Sequence, residues 1–187
     1  MLGDDISDIL IDVFDVTGKF LAQQAIPVGA NSNLIDADLL IKNVEPRFLP
    51  NGSLKKALYE ESPADEVGSD LGAILMDAYN EKKKEWPKEL SDQIERNYIL
   101  GTIDRNWTKH IDTMARLREG IFLRSYANVN PLQDYVNEGY SLFREMLNLS
   151  SVDAVLNMLN VKVERKENTA ENKEEAVENK PTEDKAE

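Results

Sequence analysis

The chain has 187 residues, with 22 Lys and Arg against 35 Asp and Glu, a single His and no Cys, for a formal net charge of −13. Without cysteine there is no disulfide, no thiol nucleophile and no cysteine-ligated zinc or iron–sulfur site, and one histidine leaves little for a histidine-built metal centre. The acidic balance, with a pI near 4.6, opposes phosphate-dominated nucleic-acid binding and adhesion to anionic membranes.

In chain order, the start Met1-Leu2-Gly3-Asp4-Asp5 carries acid where a signal peptide needs a basic flank, and no apolar run approaches the roughly 18 residues of a membrane span. A cytoplasmic chain is expected. Ile6, Ile9, Leu10, Val13 and Phe14 recur at helical spacing between aspartates, which predicts an amphipathic helix over 5–16 that Gly18 breaks or loosens. Pro27-Val28-Gly29, Glu45-Pro46, Pro50-Asn51-Gly52 and Ser62-Pro63 then limit helices to short pieces at about 32–43 and 53–60. A further helix is predicted over 70–86, ending at Trp86-Pro87. From Ser91 to about Arg124 there is no proline, and Ile94, Tyr98, Leu100, Ile103, Trp107, Ile111, Met114, Leu117 and Ile121 recur at steps of mostly three and four. Such a helix would be roughly 50 Å long at 1.5 Å per residue, the length of a lever or scaffold. Asn130 with Pro131 and Gln133 supplies an N-cap, a proline at the first helical position and a capping-box-like third residue. A second helix starts there, with Leu132, Tyr135, Val136, Tyr140, Phe143, Met146 and Leu147 on its apolar face, packing antiparallel on the first as a hairpin; Ser150 or Ser151 then caps a shorter helix.

The expected fold is therefore all-α: a small irregular helical module over 1–90, a long antiparallel helical hairpin over 91–163, and a disordered acidic tail over 164–187. In that tail 9 acids against 5 bases give a charge of −4, with no aromatic residue.

Motifs for chemistry are missing. Gly18-Lys19 is followed by Phe20 where a P-loop needs Ser or Thr, and GxGxxG, HExxH, GxSxG and EF-hand patterns do not occur. The expectation is no catalytic and no metal residue. Of the residues that could do acid–base work, His110 with Asp104 or Asp112 is the natural pick, yet a histidine on a long amphipathic helix is more often a packing or capping partner. Trp107 and Met114 read as core residues. The tip between the two helices is distinctive: Arg116, Arg118 and Arg124 surround only Glu119, a local charge of +2, and precede Tyr126. Arginines and an aromatic at the end of a rigid hairpin suit contact with a polypeptide.

The hairpin residues Ile103-Asp104-Arg105-Asn106-Trp107-Thr108-Lys109-His110-Ile111, Leu117-Arg118-Glu119-Gly120-Ile121-Phe122-Leu123-Arg124, Tyr126-Ala127 and Pro131-Leu132-Gln133-Asp134-Tyr135 resemble the C-terminal helical scaffold of SecA, the ATP-driven motor of bacterial preprotein translocation. The likeness is strong over about 94–147; residues 1–90 are similar in position and irregular helical character to the family's helical wing. The resemblance implies a two-helix finger whose loop meets the translocating polypeptide and the SecY channel, with Tyr126 at the tip and Arg124 and Asn128 beside it. It also implies that Trp107, His110 and Arg118 sit where the scaffold docks on the motor and restrains its ATPase. ATP and magnesium would belong to motor domains outside this chain, with no cofactor here and no nucleic acid as partner. The implied partners are those motor domains, the SecY channel complex and unfolded preprotein, at the inner face of the cell membrane; self-association through unpartnered apolar surface is a further possibility. Ser125 stands where the family usually has Gly, Asn128-Val129-Asn130 where it has Gln-Lys-Asp, and Ala115 where it often has Asp. Loss of the loop's basic residue keeps an alternative open: a stand-alone helical adaptor that binds a motor or another protein without moving substrate.

Overall fold

The computed structural model describes residues 4–30, 32–124 and 130–163. The described residues form five α-helices, α1 (Asp4–Gln23), α2 (Ala37–Phe48), α3 (Ala64–Lys83), α4 (Lys88–Arg124) and α5 (Pro131–Asn160), and a 3-10 turn at Lys56–Leu58. Among the described residues there is no strand, only an isolated bridge between Leu34 and Pro63. The all-α expectation holds. The acidic tail lies outside the described residues.

The first difference from the sequence reading is at Gly18. Instead of ending α1, it lies inside the helix at its closest approach to α3, where an added Cβ would stand 2.3 Å from the Gly68 carbonyl oxygen and 2.4 Å from the Gly72 nitrogen. Three glycines, two on α3, let the backbones touch. Alongside them Thr17 turns its hydroxyl inward onto the Val13 carbonyl, 2.7 Å away, so a buried polar group costs little.

The second helix begins at Ala37, five residues later than the punctuation predicts, because the Asp36 carboxylate accepts the amides of Asp38 and Leu39 at 2.9 and 3.1 Å. It then runs through Pro46, which falls in the last turn. Beside that proline the buried Glu45 carboxylate accepts the amides of Gly52 and Leu54 at 3.0 and 2.9 Å, and those hydrogen bonds hold its pKa below the ordinary carboxylate value. Gly52 has a φ of +84°, the left-handed conformation that this loop needs and glycine adopts freely. The piece expected at 53–60 is reduced to the 3-10 turn.

The core gathers Leu10, Phe14 and Leu21 of α1, Leu40 and Val44 of α2, and Leu71, Leu75 and Tyr79 of α3. It is closed by Ile99 from the start of α4 and Val152, Val155 and Met158 from the end of α5. The α3–α4 junction is fixed by a buried Glu95, whose carboxylate accepts the Tyr79 hydroxyl at 3.2 Å and the Lys83 ammonium at 2.9 Å. Burial and the Glu95 charge push the Tyr79 phenol well above its usual pKa. At the other end, the Asn160 amide donates to the Arg47 carbonyl at 3.0 Å and ties α5 to α2.

The hairpin forms as the Asn130-Pro131 signal predicts, with the Asn130 side chain accepting the Gln133 amide. No separate helix begins at Ser150 or Ser151. The Ser150 hydroxyl donates to the Met146 carbonyl four residues back, 2.8 Å away, and Ser151 bonds likewise to Leu147, so α5 is continuous.

Candidate functional site

The seam between α4 and α5 mixes polar and small residues near its base with large apolar ones further along. Thr102, Asn106, His110, Leu117 and Ile121 of α4 are buried against it, as are Gly139, Met146 and Ser150 of α5. The Asn106 amide donates to the Ser150 hydroxyl at 3.3 Å and to the Asp153 carboxylate at 3.2 Å. Gly139 brings the helices close: a Cβ there would stand 2.9 Å from the Met114 methyl.

This register displaces the apolar stripe. Leu100, Ile103, Trp107 and Ile111 follow the seam positions 99, 102, 106 and 110 by one residue, about 100° round the helix. All four are exposed. On α5, Val136, Tyr140, Phe143 and Leu147 are exposed in the same way. The two stripes share one face of the hairpin, because Ile103 and Leu147 line a single groove with Ile9 and Val13 of α1. That groove encloses about 340 Å³. The opposite face of the seam, where Lys109 and Thr113 meet Leu142 and Glu145, is more polar.

Each sequence-derived residue now has a place. Trp107 is not core within this chain: it is 46% exposed, because the neighbouring Asn106 takes the inward position. Met114 is half-buried at the edge of the seam. His110 is 8% exposed and lies between aromatic rings, 5.6 Å from Trp107 and 5.8 Å from Phe143. Neither Asp104 nor Asp112 forms an ion pair with it among the described residues, and both are exposed on other sides of α4, so no acid–base dyad is assembled there. Arg118 is exposed on the apolar face, toward the tip. The backbone of Arg124 closes α4; its side chain, with Tyr126 and Asn128, lies outside the described residues. Arg96 and Arg144, both exposed at the edges of the apolar face, were missed. Only the seam register reveals them, and a periodicity that weights apolar residues alone puts the seam one step too far round.

A family model described as the SecA wing and scaffold domain matches residues 1–162. The chain belongs to the SecA wing and scaffold family. A SecA relative from Clostridium tetani, named as a protein translocase subunit, is 36% identical over 130 residues, which cover 70% of this chain. The match spans 16% of that protein's length. The all-α wing and scaffold unit is thus part of a translocase family, and no helix among the described residues is long and apolar enough to cross a membrane.

Proposed function

We propose that this chain works as the wing and scaffold portion of a SecA-type preprotein translocase subunit. Residues 1–90 serve as the wing, 91–163 as the scaffold with its two-helix finger, and 164–187 as an acidic tail. The unit packs on an ATPase motor and holds the loop around Tyr126 toward the translocating polypeptide and the SecY channel, peripheral to the inner face of the membrane. ATP and magnesium act in the motor, and this chain contributes no catalytic group of its own.

The observation that carries the reading is the asymmetry of the hairpin. Its base is locked into the α1–α3 core by Ile99, Val152, Val155 and Met158, while the rest of its length presents an apolar face that none of the described residues covers. A lever fixed at one end, with a docking face along its side, can pass a motor's movement to its tip. Trp107 would seat on the motor, with His110 supporting its ring from the seam and Arg118 beside them.

The test is the ATPase rate of a SecA motor core lacking its wing and scaffold, with and without this chain added in trans. Suppression of the rate supports docking and restraint; an unchanged rate with the chain folded by circular dichroism overturns that part. Tyr126→Ala in an intact translocase is expected to impair preprotein transport while ATP binding is spared. Docking without any cross-link from position 126 to preprotein would favour the adaptor reading.

A further inference from the structure

The hairpin meets the α1–α3 body through two kinds of contact. One is apolar: Ile99 of α4 and Val152, Val155 and Met158 of α5 are buried in the common core. The other is polar and comes from the last turn of α3. There the Glu95 carboxylate, 4% exposed, accepts the Tyr79 hydroxyl and the Lys83 ammonium, and Lys82 donates to the Leu159 carbonyl at the end of α5. Trp86 closes the corner, edge-on to Tyr79 with ring centroids 6.3 Å apart and with the Lys82 ammonium 6.0 Å from its own ring. One turn of α3 thus grips both helices of the hairpin near their base. Along α4, Glu95 lies four residues, about 6 Å, behind Ile99, and Arg124 lies 25 residues, about 38 Å, ahead of it.

We infer that Glu95 is a latch on the short arm of a lever: with Tyr79 and Lys83 bound to it the hairpin is held at one angle to the α1–α3 body, and with that attachment broken the hairpin tilts about Ile99 and the end of α5 while both parts stay folded. The inference concerns this chain alone and stands whether or not the hairpin docks on a motor. The arm lengths give the latch its leverage. A slip of about 1 Å at Glu95 becomes about 6 Å at the end of α4 and about 3 Å at residue 112. The apolar contact yields to small tilts, because it is non-directional and loses area only gradually. The polar contact does not. A carboxylate this deeply buried is tolerated only while it is paired and hydrogen-bonded, so a half-broken arrangement leaves a desolvated charge and costs more than either end state. In the released state Glu95 turns to water, as does Lys83, whose side chain is already 31% exposed. The latch is therefore closed or open, with no stable position between.

The full chain has no cysteine, so introduced pairs carry spin labels at known places, and double electron–electron resonance reads the spread of distances between them. Lys42→Cys with Asp112→Cys spans the α1–α3 body and the hairpin; Asp104→Cys with Asn137→Cys lies within the hairpin, and all four positions are exposed. Lys83→Met and Glu95→Ala should each widen the first distribution at least about twofold, as the lever ratio requires, and leave the second distribution and the circular dichroism unchanged. Should Glu95→Ala not fold, Lys83→Met decides, since it keeps the carboxylate and removes only its cation. The double variant Lys83→Met with Glu95→Gln has a neutral amide to accept the Tyr79 hydroxyl and no buried charge, and its first distribution should narrow again. Lys84→Ala, which removes only the exposed pair with Glu81, should change neither distribution. An unchanged first distribution, equal widening within the hairpin, or a double variant as wide as Lys83→Met would overturn the inference: a residue that merely stabilises the fold would not separate the two label pairs or be rescued by removing both charges.

Discussion

Gly18 shows how far a residue's meaning depends on what lies across from it. Read alone, a glycine after an amphipathic run is a stop signal; against Gly68 and Gly72 it is the contact that lets α1 and α3 pack backbone to backbone. Gly18→Ala would drive a methyl into main-chain atoms that cannot swing aside, and is expected to lower the unfolding free energy by about 3 kcal/mol. Gly101, in the middle of α4, has nothing within 4 Å of its would-be Cβ. Gly101→Ala should therefore raise stability by about 0.5–1 kcal/mol through helix propensity alone. Urea unfolding of the two variants separates these cases, and equal effects would mean that the close crossing has been misassigned. The sequence marked the two glycines the wrong way round, since Gly18 fell at a predicted helix end and Gly101 inside a predicted helix, and only the facing α3 shows which one is a contact.

At the scale of elements, the number and order of the long helices could be read from the sequence, but few of their ends: α1 runs past Gly18, α2 starts late, α3 spans 64–83 and not 70–86, and α4 begins at Lys88 and not Ser91. Asn130-Pro131 is the local signal that did fix an end, since α5 begins at Pro131, and Trp86-Pro87 separates α3 from α4 as expected. Which side of each helix faces its partner is a tertiary matter, and there the apolar stripe misled, because Asn106 is satisfied by Ser150 and Asp153 only once α5 is in place. The tip is a different case: its residues were singled out by charge and by family likeness, and of these the Arg124 side chain, Tyr126 and Asn128 lie outside the described residues. A seam in which Thr, Asn, His, Ser and Gly alternate with few large apolar residues buries less apolar surface than the core, so the hairpin should not be uniformly stable along its length. Toward the tip its buried apolar residues are Leu117, Ile121 and Met146, whereas the base shares the core of the whole fold. Native-state hydrogen exchange should find amides at 112–122 and 134–144 at least about tenfold less protected than those at 152–158. Uniform protection would show that the hairpin opens together with the core, and a lever anchored only at its base would no longer describe it.

For the whole molecule, two demands fall on different residues: holding this chain together and joining it to something else. Met158 belongs wholly to the first, being fully buried among α1, α2 and α3, and Met158→Ala should cost about 2–5 kcal/mol of stability. Trp107 is proposed to serve mainly the second. Its indole rests on His110 along one side and is 46% exposed, with none of the described residues covering the other side. Large aromatic side chains are usually retained for the surface they bury, so an indole left half in solvent on an apolar face is consistent with burial against a partner. Trp107→Ala should then change the stability of the chain by no more than about 1 kcal/mol while abolishing its suppression of a motor core's ATPase in trans. Denaturant titration and the ATPase assay on the same preparation decide between the two demands. A large stability loss would place Trp107 in the fold, and undiminished suppression would move the docking contact elsewhere on the hairpin. The expected pattern, stability kept and restraint lost, is what a residue whose true neighbour lies on another domain should give.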